Sequence, residues 1–152
     1  MTSSLRPAEV ADLPFVLRSE RSYMQTIEPA NEQRWTAAID RNLALWIDCL
    51  PRTLVLDVDG EAAGYQMWLP TGDSATLVSI HVVARHRRRG FGRLLLDAYA
   101  EQARAAGHVD LCLGVHRDNP AAPIYAAAGY VHTGDDGDYR MMALGTAARS
   151  AD

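Results

Sequence analysis

The sequence predicts a single α/β domain organised around one mixed sheet. Three observations carry this reading. The chain has 152 residues, a size that suits one domain and buries roughly 68–70% of its unfolded surface. Its element order, read from hydrophobic periodicity, is βααβββαβαββ. Early strands follow one another directly, and later strands alternate with helices; hairpin links make antiparallel neighbours and helical links allow parallel ones. The expected domain spans residues 1–152, with a core over about 3–145 and a frayed tail at 146–152.

Each element has its own signal. "SSLRPA" reads as a short first strand. Val10, Leu13, Val16 and Leu17 fall at helical spacing in the next segment. A second helix is expected over "PANEQRWTAAIDRNLALWIDCL", capped by Asn31, with Trp35, Ile39, Leu43 and Trp46 on one stripe and Pro51 as its stop. Asp59-Gly60 marks a tight hairpin between two strands. "ATLVSIHVVA" is a strand rich in β-branched residues. "GRLLLDAYAEQARAAG" is a helix with Leu95, Tyr99 and Ala103 on one face and Gly107 at its end. "VDLCLGV" reads as a strand buried on both sides. "DNPAAPIYAAAGY" reads as a short helix with Asn119 as cap, Pro120 at the first helical position and Gly129 past the end. A turn and a last strand close the chain at "DDGDYRMMALG".

Composition removes several function classes. Apolar residues make up 48% and charged residues 22%, as in an ordinary soluble protein. No apolar run approaches the roughly 20 residues that span a bilayer. "MTSSLRPAEV" does not read as a signal peptide, so a cytoplasmic location with no membrane partner is expected. Cys49 and Cys112 stand far apart, without metal-ligand spacing. No disulfide framework and no metal are expected, and Cys112 reads as a buried small thiol. The chain has no lysine, which excludes Schiff-base chemistry and a P-loop.

Charge is concentrated in one place. Five of the arginines lie between Arg85 and Arg93, with no acid among them. The rest of the chain has 10 arginines against 19 acids, a net charge of −9. A nucleic-acid binder spreads basic residues over a face; this background repels a polyanion, so no nucleic-acid partner is expected. Gly90-Phe91-Gly92 lies between a strong strand and a strong helix. A turn of this kind presents free backbone N–H groups and the positive end of a helix dipole. Arg87, Arg88, Arg89 and Arg93 would add charge-assisted hydrogen bonds. The expected ligand is small and carries phosphate.

Arg87-Arg88-Arg89-Gly90-Phe91-Gly92 resembles the [QR]-x-x-G-x-[GA] coenzyme A signature of the GNAT superfamily of N-acetyltransferases. "LVSIHVVA" resembles the family's fourth strand, and "NPAAPIYAAAGY" its Asn…Tyr…Gly segment. The resemblance covers roughly residues 3–145. It implies a mostly antiparallel, splayed sheet flanked by helices, with acetyl-CoA as co-substrate between strands four and five. The pantetheine arm would meet backbone groups of Val82 and Val83. The pyrophosphate would rest on the turn formed by Arg88, Arg89, Gly90, Phe91, Gly92 and Arg93, with Arg87 beside it. Asn119 and Tyr125 would also contact the coenzyme, although the spacing between them is one residue shorter than the family's usual one.

The resemblance further implies direct attack of a primary amine on the acetyl thioester. The N–H of Val82 would stabilise the developing oxyanion, and Tyr125 would protonate the leaving thiolate. Family members often carry an acid or histidine at the places matching Thr76 or Val78, neither of which accepts a proton usefully here. His81 is nearby, but strict strand alternation sets it on the face opposite Val78, Ile80 and Val82, so it reads as a packed histidine. The base candidates are Glu20, Tyr23, Glu28 and Glu32, with a water chain carrying the proton as the alternative. Tyr23 and Glu28 are candidates for binding the acceptor. The expected acceptor is a small-molecule amine. A protein N-terminus or lysine, and a non-catalytic acyl-CoA sensor, are the alternatives. Homodimers are frequent in the family, which makes a homodimer possible.

Overall fold

The structure is a computed structural model and describes residues 1–145; the tail expected at 146–152 lies outside the described residues. The strands are β1 (Ser3–Pro7), β2 (Thr53–Val58), β3 (Glu61–Thr71), β4 (Ser74–Val82), β5 (Asp110–His116), β6 (Val131–Asp136) and β7 (Tyr139–Leu144). The helices are α1 (Leu13–Thr26), α2 (Glu32–Ala37), α3 (Ile39–Cys49), α4 (Phe91–Ala105) and α5 (Ala122–Ala127). The strands form one sheet in the order β1-β2-β3-β4-β5-β7-β6. Every neighbouring pair is antiparallel except β4 with β5. The mixed, mostly antiparallel sheet is therefore the one expected.

The β4–β5 pairing is short. It joins Ser74–Thr76 to Asp110–Cys112 and then stops, although both strands continue. Beyond Thr76 the sheet splays, and the cleft described below opens there.

Apolar faces decide the layers. On one side, Val16 of α1 and Trp46 of α3 pack with Val55, Tyr65 and Met67 of the sheet. On the other, Leu96, Tyr99 and Ala103 of α4 pack with Trp68, Leu77, Leu111 and Leu113. Asp59 and Gly60 both have positive φ, 51° and 84°, as a two-residue hairpin turn requires.

Several local expectations change. The long second helix is two helices, broken at Ala38 (φ −102°, ψ 19°). The break rotates the stripe: Trp46 is buried, but Leu43 is 41% exposed. Asn31 makes no capping bond and gives its side-chain amide to Glu28 instead. Val10 is exposed and sits in a single 3-10 turn before α1. α5 starts at Ala122, with Pro123 in its first turn. Asn119 instead accepts the Ala121 N–H at 3.0 Å and closes the turn ahead of the helix. In β5 Leu111, Leu113 and Val115 of one face are buried; on the other, His116 is buried but Cys112 is half-buried and Gly114 exposed, so that strand is covered less evenly than its apolar sequence suggests.

β4 carries a bulge. Met67 faces Ser79 and the next residue, Trp68, faces Leu77, so Val78 is an extra residue. Val78 consequently packs with the Tyr65 and Met67 cluster, while Ile80 packs on the α4 side. Strict alternation had placed those two residues together; the inserted residue reverses the parity of the strand.

The edge strand β1 is tied to α1 by one guanidinium. Arg6 donates to both carboxylate oxygens of Asp12, at 2.9 and 2.8 Å, and to Asp57 at 2.7 Å. The Arg6 hydrogen bonds hold the Asp12 carboxyl below its ordinary range, against the opposing effect of burial, and the Glu9 N–H adds to the lowering. A carboxyl lowered in the fold contributes stability above its unfolded pKa and loses it as the pH falls. Asp12→Asn should lower stability by about 1–3 kcal/mol at neutral pH, read from the urea midpoint. The difference from the parent protein should shrink below pH about 4.

Candidate active site

The cleft at the splay has a volume of about 570 Å³, within the usual range for a small-ligand site. Ile80, His81 and Val82 form one wall, and Asn119, Pro120, Ala121, Ile124 and Tyr125 the opposite one. Arg87, Arg88, Phe91 and Gly92 of the arginine turn also line it, as do Tyr23 and Thr26 of α1 and Ile27 just after that helix.

The arginine-rich turn has the backbone its sequence suggested. Arg88 has φ +62° and Gly90 φ +83°, so the chain makes two left-handed steps before α4 begins. The first α4 bond reaching back to Gly90 comes from Leu94 N–H. The N–H groups of Phe91, Gly92 and Arg93 precede it, in the turn where a helix has no internal partners to offer. A Cβ on Gly92 would meet only the Ile124 methyl at 3.6 Å, so a longer side chain there would enter the cleft.

The arginines divide. Arg87 and Arg88 line the cleft, and Arg87 Nε donates to the Val82 carbonyl at 2.9 Å. Arg89 turns to Met1 and His86, and Arg93 to Asp97 at 2.9 Å. Arg85 pairs with Glu61 at 3.3 Å.

Backbone alternation singles out Val82. The Val83 N–H donates to Ala63 of β3 at 2.8 Å, and the Val83 carbonyl accepts from His86. Since successive N–H groups on a strand point to opposite sides, that of Val82 points away from β3, towards the gap. Tyr125 of α5 lines the same cleft; the residue is 5% exposed, and burial pushes its hydroxyl up to about 12. His81 stacks on Tyr65 with ring centroids 5.9 Å apart. Burial, with Arg87 adding to it, pushes the His81 imidazole down to about 4.

The two acids expected near the acceptor behave differently. Glu28 is 5% exposed and accepts from Tyr23 at 2.6 Å, from Asn31 at 3.0 Å and from Tyr139. Burial alone would raise its pKa, but these donors and the nearby His116 hold it below the ordinary range. Glu28 therefore fastens the turn after α1 to β7. The Asn119 side chain also faces the Tyr23 hydroxyl, so the fastening reaches the loop after β5. Glu20 keeps some exposure along its length, but its carboxyl is enclosed by protein. Burial raises its pKa, Ser79 and Tyr65 partly offset that, and Glu28 adds to the rise.

Sequence reasoning missed Tyr139, His116, Ser79 and Tyr65. The His116 ring lies edge-on to Tyr139 at 5.2 Å, and its Nδ1 accepts the Asp118 N–H at 3.1 Å. Trp46 and Trp68 are buried in the core, and none of the three tryptophans lines the cleft. No helix among the described residues is long and apolar enough to cross a membrane.

The sequence matches the Acetyltransferase (GNAT) family over residues 15–130. The chain belongs to the GNAT family of acetyl-CoA-dependent acetyltransferases. It is 32% identical over 120 residues to mycothiol acetyltransferase of Nocardia farcinica, a stretch covering 78% of this chain and 36% of that one. The chain thus matches about a third of the length of that relative. The fold is that of PaiA N-acetyltransferase from Thermoplasma acidophilum, solved with coenzyme A (TM-score 0.82, 18% identity, 95% of this chain and 99% of that one). It is also similar to the ribosomal-protein-S18-alanine N-acetyltransferase of Escherichia coli (TM-score 0.65, 22% identity, 95% and 94%).

Glu28→Gln should weaken the fastening, because an amide can no longer accept on both oxygens. Stability should fall by about 1–3 kcal/mol. Amide exchange in the turn between α1 and α2 should rise more than in α4.

Proposed function

We propose that this chain is an acetyl-CoA-dependent N-acetyltransferase whose acceptor is a primary amine on a small molecule. The observation that carries the reading is the combination of free α4 amides with a gap-facing Val82 N–H along one cleft. The residues fit the coenzyme in charge and in shape. The amides of Phe91, Gly92 and Arg93, with Arg87 and Arg88 beside them, suit the pyrophosphate. Acetyl-CoA supplies the activated acyl group.

The remaining roles belong to the protein. Val82 N–H offers a donor to the thioester carbonyl, worth about 3–4 kcal/mol when preorganised. Tyr125 stays protonated at neutral pH and holds a proton for the departing sulfur. Its raised pKa does not disqualify it, since the same burial raises a thiol lying against it. Asn119 shapes the turn that carries α5 and Tyr125.

Two observations support a small acceptor. The far end of the cleft is crossed by the Tyr23–Glu28–Tyr139 fastening, so a peptide would find no open trough there. The net charge of −9 outside the arginine turn favours a cationic or neutral amine over a polyanion.

Calorimetric titration with acetyl-CoA, followed by a screen of amines for CoA release, tests the proposal. No binding and no release would overturn it. Gly92→Glu should abolish coenzyme binding, because it sets bulk and negative charge into the phosphate site; unchanged affinity would remove the turn from that role. Tyr125→Phe should lower kcat by about 10²–10⁴ and leave acetyl-CoA affinity within a few-fold. Equal turnover would make Tyr125 a packing residue.

A further inference from the structure

Thr76 and Val78 of β4 accept no proton usefully. We propose that Glu20, reaching over β4 from α1, takes the proton from the acceptor amine, and that Ser79 and Tyr65 position its carboxyl. The proposal rests on the acetyltransferase reading above and adds the residue which that reading leaves unassigned.

Placement carries the argument. Tyr23 and His81 line the cleft. Glu20 lies one helical turn before Tyr23 on the same face of α1, and Ser79 lies two residues before His81 on the same face of β4. The Glu20–Ser79 pair therefore stands immediately beyond the Tyr23–His81 pair, in the direction away from the arginine turn. The bulge at Val78 makes this possible. With the parity that β4 has at Ala75 and Leu77, Ser79 would face α4. The extra residue turns Ser79 and His81 towards α1, and re-aiming side chains beside a site is a recurrent use of bulges.

Tyr65 gives an independent sign. Its residue is fully buried, yet its hydroxyl makes no hydrogen bond of normal length. It lies within electrostatic reach of Glu20 and Ser79. Burying a phenol hydroxyl beside Glu20 and Ser79 carries a desolvation cost that a core would shed by using phenylalanine. A tyrosine kept there beside a carboxyl fits a positioning role.

The competing groups are accounted for. Glu28 is ionised and held by three donors. His81 is a weak base because burial and Arg87 act on it. The groups acting on Glu20 are Ser79 of β4, Tyr65 of β3 and Glu28 of the turn after α1; none is a cation. Tyr23 lies one turn further along α1, and the neutral His81 two residues further along β4. An acid in this setting holds a proton at higher pH than an ordinary glutamate, which suits a base that works near neutrality. The balance is simple. The amine nitrogen bonds to the acetyl carbon as the carbon–sulfur bond breaks, the proton released by nitrogen passes to the Glu20 carboxylate, and the sulfur takes a proton from Tyr125.

The test compares Glu20→Gln, Tyr65→Phe and Ser79→Ala with the parent protein. Glu20→Gln should lower kcat by about 10²–10⁴, with acetyl-CoA affinity unchanged, and should remove the acid limb of the pH–kcat/KM profile. Tyr65→Phe and Ser79→Ala each delete a group that stabilises the carboxylate, so both should move that limb to higher pH. A purely structural role would leave it in place. A readout free of the coenzyme is the carboxyl-carbon NMR titration of the glutamates: one resonance should titrate above the ordinary glutamate range and vanish in Glu20→Gln. An unmoved acid limb in all three variants, with binding intact, overturns the role of Glu20 alone. Failure of the parent protein to bind acetyl-CoA overturns the acetyltransferase reading instead.

Discussion

The structure depends on a pairing that stops early. β4 and β5 hydrogen-bond over three residues each and then part, in the middle of a seven-stranded sheet. Interior strands rarely leave their backbone groups unpaired, because a buried N–H or C=O without a partner is costly. Here the Val82 carbonyl is satisfied by the Arg87 side chain, and its N–H points into the gap. The parting fixes the position of everything around it: α4 starts beside the open end, α5 lies across from it, and α1 closes it.

The cleft is electrically polar along its length. Arg87, Arg88 and the amino end of α4 make one end positive. Glu28, which holds the cleft-lining Tyr23, and Glu20 add acidic groups on the α1 side. The two sets are held apart by the sheet itself, since the turn follows β4 and the acids come from α1 and the turn beyond it. Tyr125 lies between them, buried and protonated, where neither charge acts on it strongly.

Much of this was legible in the chain. The element order, the Asp59-Gly60 hairpin and the Gly90 turn follow from local rules, because periodicity and left-handed glycine positions need no knowledge of the tertiary fold. The cleft-lining positions of Arg87 and Gly92 were legible in the charged glycine turn, and that of Tyr125 through the resemblance of its segment to the family motif. What escaped is non-local. Ala38 breaks a helix whose sequence continues in helical period, and only packing decides where the break falls. Tyr139 meets Glu28 across 111 positions of sequence, with no motif to announce it. Asn31 read as a cap because nothing nearby showed that Glu28 would claim its amide. The face of Val78 was misjudged because alternation assumes that every residue of a strand has one partner.

The bulge also sets a rule for how this strand can change over time. Before Val78, odd-numbered residues of β4 face α4 and build the core; after it, odd-numbered residues face α1. The two halves can accept substitutions almost independently, since they serve different faces and different neighbours. Length is another matter. Removing one residue would force either the three-residue union with β5 or the whole gap-facing half onto the wrong side. Drift in side chains is tolerable here, but drift in count is not, and any alignment of β4 that ignores the extra residue will compare positions that point in opposite directions.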